Sequence, residues 1–398
     1  MPGPLDGVRI IDVTTVVLGP WATQTLGDLG ADIIKVEPPE GDTTRRLGPA
    51  RHPGMGAFFL ACNRNKRSIV LDLKQASGRA ALLKLTSTAD AMLHNFRPAP
   101  AARLGLDYEA FRAVNPRLVY CATYGFRARG PYGEKPAYDD VIQAASGLAA
   151  LQASIVGEPR YMPTIVADKT SSLTVLSSVL AALFHRERTG EGQAVEIPMM
   201  ESVVAYVMVE HLYGETFIPP LESAGYKRIL ARWRRPFQTK DGYLAVVPYT
   251  DTHWRTFFEI AGRPDLLSDP RFKSLESRLA NIEILYEELG KIVATRNSAE
   301  WLEALERANV PATIVNTLES LLTDPQLEAT GFWKTVEHPS EGTLRMPDMP
   351  TTYSKTPGDI RRLQPRLGEH SVEVLREAGF TQSEVDAMLA SGATFQAS

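Results

Sequence analysis

The chain has 398 residues, of which 44% are hydrophobic and 23% charged, with a formal net charge of -4. That length exceeds one ordinary core, so two domains are expected, and the composition excludes a disordered or fibrous chain. The slightly acidic balance leaves no footprint for nucleic acid, so an anionic ligand needs a local basic cluster, and no run of about 18 uncharged apolar residues offers a membrane span.

In chain order, Met1 to Asp6 has neither the basic start nor the apolar centre of a signal peptide. Val8 to Val13 reads as a buried strand, followed by a helix from about Pro20 to Leu29, and Ala31 to Val36 reads as a second strand closed by Glu37-Pro38-Pro39. Glu37 is where a dinucleotide-binding unit carries its acid, but Thr14 to Pro20 holds one glycine where that fingerprint needs three, so nicotinamide binding is not expected. Asn63 to Arg67 is a basic turn before the strand Ser68 to Asp72, and charge runs usually face water. Lys74 follows at a strand-to-helix junction. The strand Ala89 to Leu93 opens into Asn95, Phe96 and Arg97, with Arg103 just beyond. Parallel sheets bind ligands beyond the carboxyl ends of their strands, and arginine suits phosphate, so these residues are placed for phosphates.

The strand Arg117 to Ala122 is next, and Tyr138-Asp139-Asp140 begins a helix. Ile165-Val166-Ala167 delivers Asp168 to the start of a long helix whose Leu173, Leu176, Leu180, Leu183 and Phe184 form one apolar face. By position alone Asp168 reads as an N-cap, a residue type preferred there. The sharper reading is a carboxylate nucleophile beside the unpaired N–H groups of a helix start. Gln193 to Ile197 is the last strand of the series, and a helix runs from about Met199 to Tyr213. The alternation from 8 to 197 predicts an α/β domain with a Rossmann-like, doubly wound parallel sheet.

Patterning is lost over 214–235. A hairpin on Asp241-Gly242 and helices near 251–261, 275–294 and 298–308 make a smaller α+β domain. Segment 347–365 is extended, and a helical tail follows. The expected divisions are a large domain over 1–213, a connector over 214–235, a small domain over 236–330 and a return segment over 331–398. Cys62 and Cys121 sit in apolar, strand-like contexts, as reduced thiols of a cytoplasmic protein do, and the seven histidines show no metal-ligand spacing.

Several strings, taken together and in order, resemble the class III coenzyme A-transferases, the formyl-CoA transferase or carnitine-inducible type. They are Leu26 to Pro39, Asn63 to Ser68, Asn95 to Pro98, Asn115 to Leu118, Tyr138-Asp139 with Gln143 to Gly147, Arg186 to Gln193 and Leu367 to His370. The resemblance makes Asp168, which stands one long helix before the Arg188-Thr189-Gly190 turn, the catalytic nucleophile. It implies CoA contacts at Leu71, Asp72, Lys74, Asn95, Phe96, Arg97, Arg103, Tyr138 and Asp139. It further implies an interlocked homodimer, a large domain built from both chain ends, and acyl-CoA and carboxylate substrates without metal or redox cofactor. The implied reaction moves CoA from an acyl-CoA, with succinyl-CoA a candidate donor, to a carboxylic acid through aspartyl anhydride and aspartyl-CoA thioester intermediates.

The chain departs from its relatives in places. Tyr138 stands where a racemase relative has histidine, which removes half of a two-base shuttle. Val17 replaces a glutamine of the formyl-CoA transferase pattern, and Glu222 to Arg228 replaces a glycine-rich loop, so formyl-CoA and oxalate are not expected substrates. Ser171 and Ser172 stand near a position where glycine is frequent. A CoA-ester racemase or isomerase, and a CoA-binding protein without catalysis, are the alternatives. Arg232, Arg234 and Arg235 read either as a solvated connector or as a clamp for the second carboxylate of a diacid, with His211 as a candidate neighbour.

Overall fold

A computed structural model describes residues 2–397. Two units emerge. The first comprises Met1–Ser146, Met162–Tyr206 and Glu328–Ser398, and the second Gly147–Tyr161 and Val207–Leu327.

The first unit is built on β1 (Arg9–Val13), β2 (Asp32–Glu37), β3 (Lys66–Val70), β4 (Ala91–His94), β5 (Val119–Tyr124) and β6 (Gln193–Pro198). Every pairing is parallel and the strand order is β3-β2-β1-β4-β5-β6. The apolar runs forecast this: Ile10, Ile11, Ile33, Ile34, Met92 and Leu93 are all buried, as strands covered on both faces must be. On one face Ile11, Ile34, Ile69 and Met92 pack with Leu82 of the helix Ala76–Thr86 and Phe111 of Tyr108–Val114. Val374 and Leu375, from the helix Ser371–Glu377, join the same core, so the chain's end completes the unit it began. Sequence order reverses between β1 and β4, and a parallel sheet opens a crevice at that point.

One expectation is overturned. The basic turn Asn63 to Arg67 is not solvated: Asn63, Arg64, Asn65, Lys66 and Arg67 are all buried, and β3 already begins at Lys66. Each charge has partners. Lys66 Nζ donates to Asp12 Oδ2 at 2.9 Å, Pro20 O at 2.8 Å and Asn63 Oδ1 at 2.9 Å. Arg64 pairs with Asp28, and Arg67 with Asp32, Glu373 and Glu377. A buried charge is tolerated only with such partners, and most of these lie far away in sequence.

In the second unit the hairpin Phe237–Gln238 and Tyr243–Val246 turns on Asp241-Gly242, and Ala312–Ile314 adds an antiparallel third strand. Its core centres on Trp254, Phe257, Leu285, Leu289 and Trp301, with Phe257 stacked on Trp301 at 5.7 Å between centroids. The helix expected over 275–294 divides at Asn281 into Leu275–Ala280 and Ile282–Val293. The helix Leu148–Val156 also lies in this unit, although the sequence places it within the large domain. The return segment carries an unforeseen antiparallel hairpin, Trp333–His338 with Gly342–Pro347, before an irregular stretch over 348–370. Among the described residues no helix is long and apolar enough to cross a membrane.

Candidate active site

The loops after β1 and β4 build the crevice. Val16 has φ +72°, a left-handed conformation that strains a β-branched residue. Two anchors hold it. Lys35 Nζ, in β2, donates to Thr14 O and to Asp42 Oδ2, each at 3.0 Å, and the Asp42 carboxylate accepts the Val16 N–H at 3.3 Å. Both charged side chains are fully buried. Burial opposes their ionisation, but the pairing outweighs it, so Lys35 is held above and Asp42 below the ordinary range. On the other flank, Asn95 donates to Thr15 O at 3.1 Å and accepts the Thr15 N–H at 3.3 Å.

The pinned loop walls a cavity of about 350 Å³, which Asn95, Arg97, Tyr138, Asp168 and Met199 complete. A second cavity, of about 210 Å³, lies against Leu71, Asp72, Lys74 and Leu104, and Thr15 and Phe96 line both. Of the sequence-selected residues, the structure therefore brings Asn95, Phe96, Arg97, Tyr138 and Asp168 around one space and Leu71, Asp72, Lys74 and Phe96 around its neighbour. Asp72 Oδ1 also accepts the Lys74 N–H at 3.0 Å, which shapes that turn. Arg103 ends the helix Pro98–Arg103, exposed, and lines neither cavity.

Asp168 is not the cap of its helix. The helix spans Val166–Thr189, its N-cap is Ile165 without a side-chain bond, and Asp168 is its third residue. The capping is done by Asp139, which is buried: its Oδ1 accepts the Asp168 N–H at 3.0 Å and its Oδ2 accepts Gln143 Nε2 at 2.6 Å. Gln143 Oε1 in turn accepts the Met162 N–H at 2.8 Å. The Asp168 amide is thus already committed and is not one of the unpaired N–H groups of this helix start. The Asp168 carboxyl is pushed up to about 7, chiefly by burial and then by repulsion from the Asp139 carboxylate. A half-buried carboxyl titrating near neutrality on a cavity wall is characteristic of a reacting group rather than of a cap.

Sequence reasoning missed Thr15, Val16, Leu18, Lys135 and Met199, all on the cavity wall. The available signal was the loop after β1, whose single glycine counted only against nicotinamide. Ser171 and Ser172, one turn beyond Asp168, are buried, and among the described residues their hydroxyls have no hydrogen-bond partner. Removing an unsatisfied buried hydroxyl relieves its desolvation, so Ser172→Ala is expected to leave stability unchanged or raise it by about 1 kcal/mol in urea unfolding.

Among the described residues no cluster of three or more histidine, cysteine or acidic side chains is arranged to hold a metal ion. The model of CoA-transferase family III matches residues 5–371. The chain is similar to a succinate–glutarate CoA-transferase of Agrobacterium fabrum, with 34% identity over 94% of this chain and 95% of that protein. It is also similar to the human succinyl-CoA:glutarate CoA-transferase, with 30% identity over 94% of this chain and 86% of that one. A crystal structure of a CAIB/BAIF family protein from Brucella suis superposes with a TM-score of 0.80 at 30% identity, covering 95% of this chain and 100% of that chain. A match of this breadth, on a parallel sheet whose switch-point crevice carries Asp168, settles the family: the chain belongs to CoA-transferase family III and is a class III CoA-transferase, acting on an acyl-CoA and a carboxylic acid.

Proposed function

We propose that Asp168 carries the acyl and CoA groups in turn, and that the donor and acceptor acids are dicarboxylates, with succinyl-CoA as the donor. The observation that carries the assignment is the Asp168 carboxyl itself, half-buried on the cavity wall and raised to about 7. The names of the Agrobacterium and human relatives support the choice of acids.

CoA lies along the two cavities that share Thr15 and Phe96. Leu71, Asp72 and Lys74 contact its nucleotide end, Asn95 and Arg97 favour its phosphates, and Tyr138 flanks the thioester. Asp139 acts from beneath, fixing the helix start and, after burial, helping to hold the Asp168 carboxyl above its ordinary range by repulsion.

The ionised Asp168 attacks the thioester carbonyl, the C–S bond breaks, and an acyl-aspartyl anhydride forms with CoA thiolate as leaving group. The thiolate then attacks the aspartyl carbonyl, which releases the donor acid and leaves an aspartyl-CoA thioester. The acceptor carboxylate attacks that thioester and expels thiolate. Thiolate attack on the acceptor's acyl carbon regenerates Asp168 and gives the new acyl-CoA. Each tetrahedral intermediate carries an oxyanion that needs donors. The helix Leu18–Asp28 supports this role: it starts on the cavity wall and has no side-chain cap.

Trapping tests the reading. With succinyl-CoA and hydroxylamine, mass spectrometry should find an aspartyl hydroxamate at Asp168; a hydroxamate on another residue, or none during turnover, overturns it. Only the ionised carboxylate attacks, so kcat/KM for succinyl-CoA should rise with pH and level off above about 7. Asp139→Asn removes the repelling charge, so the midpoint of that limb should move to lower pH.

The working form is an interlocked homodimer. Ile218, 97% exposed, and Val209, 82% exposed, are apolar surface that a second chain would cover. Light scattering should return the mass of two chains. The buried thiols of Cys62, pushed up to about 11 by burial, and Cys121, pushed up to about 12, fit a cytoplasmic setting.

A further inference from the structure

The second unit has a cavity of its own, of about 280 Å³, and three arginines converge on it: Arg228, Arg234 and Arg235. Phe237, Val247 and Tyr286 supply apolar and aromatic wall, and no carboxylate lines it. The guanidinium planes are oriented. Arg228 Nε donates to Tyr286 Oη at 3.0 Å, Arg228 also lies over the Tyr249 ring at 5.5 Å, and Arg235 lies over Trp233 at 4.6 Å. Nearby acids are engaged elsewhere: Glu222 pairs with Lys227 at 2.9 Å, and Glu283 accepts the Arg232 N–H at 2.8 Å. Among the described residues none of the three arginines has a carboxylate partner.

We propose that this cavity is an anion subsite for a short aliphatic dicarboxylate, with Arg234 and Arg235 binding carboxylate and the apolar wall taking the methylene chain. The inference rests on the CoA-transferase reading for the identity of the acid. Three arginines around one cavity repel one another, and a carboxylate gives their planar donor forks the geometry they match bidentately. The volume of about 280 Å³ is ample for a short diacid. An exposed arginine run alone would be ordinary surface. What distinguishes this one is its convergence with half-buried Arg228 on a shared apolar cavity.

Calorimetric titration of the full chain without CoA tests the assignment, with glutarate, butyrate and inorganic phosphate as probes. A hydrogen-bonded charged pair contributes enough that glutarate should bind about tenfold or more tighter than butyrate, and the double variant Arg234→Gln/Arg235→Gln should lose that preference. Circular dichroism checks that the variant is folded. Equal binding of glutarate by variant and wild type overturns the subsite. So does phosphate binding as tightly as glutarate and being lost in the same variant, which would make this a phosphate site. Transfer assays on Asp168→Asn separate the two readings. If that variant is inactive but no glutarate preference exists, the subsite falls and the transferase mechanism stands. If the preference exists but transfer is untouched by Asp168→Asn, the subsite stands and the nucleophile is misassigned.

Discussion

Asp168→Asn is expected to abolish transfer of CoA from succinyl-CoA to any acid, with kcat falling about 10⁴-fold or more, as when a covalent nucleophile is removed. The substitution is nearly isosteric, and the bond from the backbone N–H at 168 to Asp139 does not involve the side chain, so the helix start should stay in place. A second readout separates a catalytic role from a structural one. The Asp168 carboxyl titrates at about 7 in the folded chain against 3.8 for an unperturbed group, so the folded state binds this proton more tightly than the unfolded state. Between those values stability falls as pH rises, and above about 7 the folded protein carries the whole cost of a buried charge. A unit of pKa is worth about 1.4 kcal/mol, so Asp168→Asn should be more stable than wild type at pH 8 by up to a few kcal/mol, and no more stable near pH 3.5. Urea unfolding at the two values measures this. An inactive variant that is also less stable at pH 8 would point to a structural residue instead. A gain in stability with a loss of activity is the signature of a group kept for chemistry.

The parts of this fold that depend on short-range pattern were legible. Ile10-Ile11 and Ile33-Ile34 announce strands covered on both faces, and Asp241-Gly242 places its hairpin. Asp168 was located at the right end of the right helix. Asp139 was named only as a CoA contact, and its capping of this helix was not legible, because it approaches from another helix, Asp139–Ala145. The same limit explains the largest misreading. Asn63 to Arg67 has the composition of a solvated turn, and only its partners at Asp12, Asp28, Asp32 and Glu377 make burial tolerable. Lys35 lies in a strand with apolar neighbours, and nothing local indicates that its ammonium reaches the loop beside the nucleophile. Long-range charge pairing leaves no periodicity, and in this chain it supports the site.

Breaking that support is the second large effect. Lys35→Met keeps the length of the side chain but leaves the Asp42 carboxylate buried without its counter-ion, a change expected to cost about 3–5 kcal/mol in urea unfolding. Asp42 would still accept from Thr44, at 3.0 Å from its N–H and 2.8 Å from its hydroxyl, so the 43–46 turn should survive. The loop after β1 would not, since Thr14 O loses its donor and strained Val16 loses a firmly held acceptor. Val16 shares the cavity wall with Asp168. In the fraction that remains folded, kcat for transfer should therefore drop while the acid limb of the pH profile stays near 7, because neither cause of the raised Asp168 pKa has been touched. Adding Asp42→Leu removes the orphaned charge, so the double variant should recover part of the lost stability without recovering activity. The two single substitutions adding simply, within about 0.5 kcal/mol, would mean that the pair does not act as a unit. Recovery of activity along with stability would mean that Lys35 and Asp42 serve the fold alone, and that the Val16 conformation is a by-product of packing rather than a requirement of the reaction.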